Sequence, residues 1–160
     1  LGLHKGSFYN YFDSKEDMAM RALDQYTEKM LAWAEDALQR ESIPHLQRIQ
    51  LYHQALIAHF REVLHFKGGC FVGNFSTELG DSSENFGPKL NLFFEKLQAL
   101  FVACIDEGQK RGNINPNLAS RDTANFLTSS WQGAVLKMKT RQDQVPLDNF
   151  MTMSTLLLCP

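Results

Sequence analysis

Apolar residues recur at steps of three and four along nearly the whole chain, the spacing that gathers them on one face of an α-helix. Ser14, with Asp17 three positions on, reads as an N-cap and a weaker form of the capping box. From there Met18, Ala22, Tyr26, Met30, Trp33, Ala37 and Leu38 form one stripe, which predicts a long helix ending near Arg40. Pro44 opens the next helix, where its missing N–H costs nothing. Leu46, Ile49, Tyr52, Leu56, Phe60, Val63 and Leu64 are its expected inner face, and Lys67-Gly68-Gly69 ends it.

Cys70 to Leu79 is apolar on nearly all sides and carries small residues. The composition would suit a strand, but no second strand exists to pair with it, so a short, buried helix is predicted. Gly80 to Ser83 reads as a loop and cap cluster. A long helix is expected from Pro88 to about Arg111, with Leu90, Phe93, Phe94, Leu97, Leu100, Phe101, Cys104 and Ile105 facing inward. Gly112 to Asn117 breaks it. Ala119 to Thr140 is the next helix, with Ala124, Leu127, Trp131, Val135, Leu136 and Met138 apolar and Phe126 widening that face. Pro146 opens a last helix bearing Leu147, Phe150, Met151 and Leu156 to Leu158. The sum is an all-α chain of about seven helices without internal repeats.

Composition narrows the function. A hydrophobic fraction of 44% in 160 residues supports a well-filled core, and a charged fraction of 21% is ordinary for a soluble protein. The net charge of −2 argues against coating nucleic acid along the whole length, though a local basic patch would not show in the sum. No apolar run approaches the ~20 residues of a membrane helix, and no signal segment is present, so a cytoplasmic protein without membrane contact is expected. The first residue is Leu rather than Met, which reads as an N-terminus cut or not placed. Cys70, Cys104 and Cys159 form no CxxC and have no His at ligand spacing. His45, His53, His59 and His65 follow steps of eight and six, which do not stack on one helix face. No metal and no cofactor are therefore assigned.

The first seventeen residues carry the sharpest chemistry. In a helix starting near His4, Ser7, Asn10 and Tyr11 fall near one side while Phe8 and Phe12 fall on the other, with Tyr9 between. A helix entering the DNA major groove needs that division, with one face anchored in a core and the other bearing donors and acceptors. Lys5 and Lys15 are placed to meet phosphates. On spacing alone, an aromatic helix-turn-helix inside an ordinary bundle accounts for the segment equally well.

Gly2 to Asp17 (GLHKGSFYNYFDSKED) closely resembles the end of the DNA-binding domain of the tetracycline-repressor (TetR) family. That family's pattern is a short recognition helix with K-G-(S/T)-(F/L)-Y-x-(Y/H)-F, then S-K-E-(D/E) opening the next helix. The resemblance implies a homodimeric, ligand-responsive transcription regulator, most often a repressor. A three-helix head binds operator DNA, and an all-α body binds an inducer that releases the protein from the DNA. It implies that His4, Lys5, Ser7, Tyr9, Asn10 and Tyr11 lie at the DNA and that Lys15 touches backbone phosphate. The departure from the family is the absence of the head's first two helices. Residues 1–25 are then the C-terminal part of a helix-turn-helix domain, and residues 26–160 a ligand-binding and dimerisation domain.

A second, narrower resemblance lies in the body. Gly69 to Leu79 (GCFVGNFSTEL) is similar to a G-C-L-x-x-(N/K)-L-x-x-E-(L/V) segment in one branch of the family, which includes an N-ethylmaleimide-responsive repressor that senses electrophiles through the cysteine of this segment. Trp131 to Leu136, followed by Lys139, resembles the same branch, where a lysine near this point assists the thiol. Cys70 is thus either an electrophile or oxidant sensor at a helix start, or a small residue closing a tight turn. Phe71, Phe75, Phe94, Phe101, Trp131 and Met138 either line a pocket for a small apolar or electrophilic inducer or fill the core. Glu78 is either a pocket group or an exposed partner for a lysine. The helices at about 119–140 and 146–158 are apolar over wide faces and are expected to form a two-fold dimer interface. A small all-α enzyme is the distant alternative; against it, no nucleophile–base pair or phosphate loop is present.

Overall fold

The computed structural model describes residues 11–80 and 84–160, and among them forms six helices and no strand. They are α1 (Lys15–Leu38), α2 (His45–Glu62), α3 (Phe71–Leu79), α4 (Phe86–Lys110), α5 (Ser120–Arg141) and α6 (Val145–Leu158). The expected short helix around His4 to Phe12 lies almost wholly outside the described residues.

Local chemistry sets the boundaries. Ser14 is the N-cap of α1, and its hydroxyl accepts from the Asp17 N–H at 3.0 Å. The reciprocal arm runs from the Asp13 N–H to the Asp17 carboxylate at 3.3 Å, one residue earlier than in a full capping box. Arg48, itself buried, donates to the carbonyls of Leu38 at 3.2 Å and Ile43 at 2.6 Å. Its cation thereby closes the C-terminal end of α1, where the helix dipole is negative. α4 starts two residues ahead of expectation, at Phe86; Pro88 still lies in the first turn, where N–H groups have no helical acceptor.

The long α4 is the centre of the body, packed against α1, α2, α3 and α5, while α5 and α6 lie side by side and α6 also meets α2. Its buried Leu90, Phe93, Leu97, Phe101, Cys104 and Ile105 form the spine of the core. Each such apolar side chain contributes on the order of 1.5–3 kcal/mol by leaving water. Outside the core, Lys89 Nζ meets both Asp24 carboxylate oxygens at 2.5 and 2.6 Å, an exposed ion pair between α1 and α4 that holds them only weakly.

Three expectations are corrected by the packing. Val63 is exposed, because α2 ends at Glu62 and the chain turns away there. α3 is helical as expected but sits at the surface of the bundle, with Val72 its one fully buried residue. His45 and His53 are both buried on the inner face of α2, which is wide enough to take residues about 80° apart. They form no metal set: no group of three or more potential ligands exists among the described residues.

The α2–α3 link is wound tightly. His65, Phe66, Gly68 and Gly69 all adopt positive φ, which glycine takes freely and phenylalanine does not. A Cβ on Gly69 would lie 3.2 Å from Lys139 Cδ, so this turn passes close beside α5.

Candidate ligand-binding site

Five helices line a partly open cavity of about 510 Å³. α1 supplies Tyr26, Lys29, Met30 and Trp33, which share one face at helical spacing. α2 supplies Tyr52, Leu56, His59 and Phe60 on the same logic. Phe93 and Leu97 come from α4, Trp131 and Gln132 from α5, and Cys70 and Val72 from the start of α3. The walls are mainly apolar, and six of the side chains in them are Tyr, Phe or Trp rings. Trp33 stacks on Tyr52 with centroids 4.8 Å apart and planes 29° apart, and Tyr52 meets Phe101 edge-on at 5.5 Å.

Burial fixes the protonation of the cavity's surroundings. Desolvation, with a smaller contribution from Cys70, pushes the Tyr26 phenol up to about 12. Tyr52 is also pushed upward, first by burial and then by Cys70 and Tyr26. Both hydroxyls therefore keep their protons at neutral pH. Behind the wall, His53 lies between the rings of Phe101, Trp131 and Phe150, at centroid distances of 5.6, 4.9 and 4.8 Å. Burial lowers its pKa to about 4, partly opposed by the bond from Nδ1 to the Ile49 carbonyl at 2.8 Å. His53 is thus a neutral packing residue with Nδ1 as the donor.

Cys70 stands between this cavity and an outer groove of about 330 Å³ shared with Asn74, Thr77, Phe94 and Lys139. It is the N-cap of α3 and is half-buried. The Gln132 side-chain amide donates to its sulfur at 3.6 Å. Lys139 Nζ donates to Asn74 Oδ1 at 3.2 Å, and Asn74 Nδ2 donates to the Gly68 carbonyl at 2.5 Å. A chain of polar contacts therefore runs from α5 to the glycine turn beside the thiol.

Of the residues singled out from the sequence, Cys70 and Trp131 line the cavity, and Lys139 lies with Cys70 in the outer groove. Phe71 and Phe75 line neither space. Their rings lie 4.4 Å apart, with Phe71 against Tyr26 at 4.7 Å and Phe75 against Phe86 at 5.8 Å, so they dock α3 onto α1 and α4. Glu78 is exposed near the end of α3 and lines neither space. Tyr11 and Lys15 are exposed at the start of α1. His4, Lys5, Ser7, Tyr9 and Asn10 lie outside the described residues. The periodicity placed Tyr26, Trp33 and Tyr52 as ordinary stripe residues; it carried no signal for the space between them.

The α5–α6 face has a different character. Phe126, Leu136 and Leu156 are 52%, 63% and 70% exposed, and a groove lined by Phe126, Lys137, Val145 and Met153 runs between the two helices. Among the described residues no helix is long and apolar enough to cross a membrane.

Residues 45–154 match the family described as "Tetracyclin repressor-like, C-terminal domain". The chain belongs to the tetracycline-repressor family. It is 39% identical over 156 residues to the HTH-type transcriptional repressor DhaR of Mycobacterium sp. (strain GP1), a match covering 98% of this chain and 76% of that protein. It is 26% identical over 145 residues to the HTH-type transcriptional repressor NemR of Escherichia coli (strain K12), covering 91% of this chain and 72% of NemR. The regulatory protein TetR from Rhodobacter sphaeroides superposes with a TM-score of 0.91 at 25% identity, over 98% of this chain and 82% of that one. Reduced E. coli NemR superposes with a TM-score of 0.82 at 23% identity, over 98% and 81%, a likeness of fold. These relatives are transcription regulators, and the all-α TetR-like architecture expected from the sequence is the one observed.

Proposed function

We propose that this chain is the sensing and dimerising part of a transcriptional repressor that leaves its operator when a small apolar molecule fills the cavity. The observation that supports this most is that α1 is shared. The helix that begins at Lys15, beside the segment resembling a recognition helix, also forms a wall of the cavity through Tyr26 and Trp33. A ligand that prefers one placement of α1 shifts the spacing of two heads and weakens DNA binding by linkage. In this reading His4, Lys5, Ser7, Tyr9, Asn10 and Tyr11 face operator DNA, Lys15 meets a phosphate, and α5 and α6 pair with their copies across a two-fold axis. The domain boundary falls near residue 25, within the continuous α1.

Fluorescence anisotropy with the full-length protein and a two-fold-symmetric operator tests the proposal. Operator binding is expected, together with its loss on adding inducer. Leu56→Trp, which fills part of the cavity, should retain operator binding but lose the release. Absence of operator binding by the folded protein would refute the proposal.

A second reading, covalent sensing at Cys70, is favoured by the Gln132 contact and by the groove that Cys70 shares with Lys139. Mass spectrometry after brief exposure to N-ethylmaleimide should find Cys70 modified. Modification of the exposed Cys159 alone would exclude it.

A further inference from the structure

The cavity has a one-sided polarity. Tyr52 and Trp131 are 4% and 6% exposed, and both line it. Neither the Tyr52 hydroxyl nor the Trp131 indole N–H has a hydrogen-bond acceptor among the described residues. Nor is either group sealed in protein, because the sealed, unpartnered side-chain atom of the described residues is His45 Nε2. Buried donors of this kind are nearly always satisfied, so water or an acceptor group of a bound molecule meets them from the accessible side. Tyr26 adds a third donor that burial keeps protonated, and it too has no acceptor among the described residues. Lys29 lines the cavity as an exposed residue, without an ion pair to any described residue, and no Asp or Glu joins it there.

We infer that the cavity takes a flat aromatic carboxylate, its rings between the aromatic walls and its carboxylate at the Lys29 side, accepting from the unpartnered donors. This inference rests on the reading of the cavity as the inducer site. An apolar body replaces water against Trp33, Tyr52, Phe60 and Trp131, and a volume of about 510 Å³ is in the range of pockets that enclose drug-sized ligands. A carboxylate is costly to bury unless it is paired and hydrogen-bonded, and Lys29 with the phenols supplies both. A cation would meet an unpaired ammonium with no counter-charge in the lining. A neutral molecule of the same shape would gain nothing from the lysine, which stays solvated.

The test is calorimetric titration of the full-length protein with three probes of nearly identical shape: 2-naphthoate, 2-naphthalenemethanol and 2-naphthylmethylammonium. Naphthoate is expected to bind about tenfold more tightly than the alcohol, and the ammonium compound more weakly than both. Lys29→Met should bring the naphthoate-to-alcohol ratio close to one, and Tyr52→Phe should weaken naphthoate about fivefold. Alcohol or ammonium binding as tight as that of naphthoate would overturn the ligand class and leave the cavity as a ligand site. An unchanged ratio in Lys29→Met would overturn the assignment of the carboxylate to Lys29. No binding of any probe would overturn both the ligand class and the cavity reading.

Discussion

The side-chain amide of Gln132 reaches to 3.6 Å from the Cys70 sulfur, so one residue of α5 borders the inner cavity, the outer groove and the thiol between them. The contact helps hold the sulfur at the border of the two spaces, where a reagent in either can reach it. Gln132→Leu keeps most of the bulk and removes the donor. Alkylation of Cys70 by N-ethylmaleimide, followed by intact-mass spectrometry, is expected to slow about threefold or more in this variant. An unchanged rate would show that the contact does not govern how the thiol meets the reagent.

The end of α4 makes a second prediction. A Cβ on Gly108 would lie 2.7 Å from Ile114 Cδ1 and 2.8 Å from His45 Cβ, both in the buried junction where α2 begins. Gly108→Ala gains about 1 kcal/mol in helix propensity. It forces two packed neighbours apart, at about 1–3 kcal/mol. Because His45 is held by Asn113 at 3.1 Å, the neighbours cannot yield freely. The net expectation is a loss of up to about 2 kcal/mol in a urea melt. A stabilised variant would mean that the junction relaxes more easily than its contacts imply.

His53 gives the chain a pH dependence of definite sign. Its pKa is about 4 in the folded state against an ordinary 6.5, lowered by burial. Between those values the unfolded chain binds a proton that the folded chain refuses. The contribution is complete above pH 6.5 and falls as the pH drops toward 4. At pH 5 the loss is about 2 kcal/mol relative to neutral pH. His53→Leu should show a pH slope shallower by that amount between pH 7 and 5, measured by chemical denaturation. Equal slopes would mean that His53 is solvated enough to titrate normally.

The exposed α5–α6 face is expected to be the contact between two copies. The double substitution Phe126→Glu and Leu156→Glu places four like charges at a two-fold contact, and should convert a dimer to a monomer in sedimentation equilibrium at micromolar concentration. Because the dimer and the fold are linked by mass action, thermal stability should also become independent of protein concentration. A double variant that still sediments as a dimer would move the interface elsewhere.

Much of the architecture was legible because its punctuation is local. Ser14 with Asp17, Pro44, the Gly68-Gly69 pair and the Gly112–Pro116 break each act through a single hydrogen bond or a single φ, and these are properties of residue type. Burial failed where the third dimension decides. Val63 continues the stripe of α2 but lies beyond the helix end, and Leu136 lies on α5 yet points away from its own core. The cavity was not legible at all. Trp33 and Tyr52 have the spacing of core residues, and whether such rings meet or stand apart depends on the crossing angles of five helices. Cys70 and Trp131 were singled out through family resemblance, whereas Lys29 had no such prompt.

α1 has a mechanical consequence. It is one unbroken rod of 24 residues, about 36 Å long, fixed at its far end where Arg48 grips the Leu38 carbonyl. Measured from Leu38, Tyr26 lies about 18 Å along the rod and Lys15 about 35 Å. Any tilt about that anchored end is therefore geared. A displacement of about 1 Å where a ligand presses on Tyr26 arrives as about 2 Å at Lys15, so a small wedge in the body produces a larger stroke at the helix start.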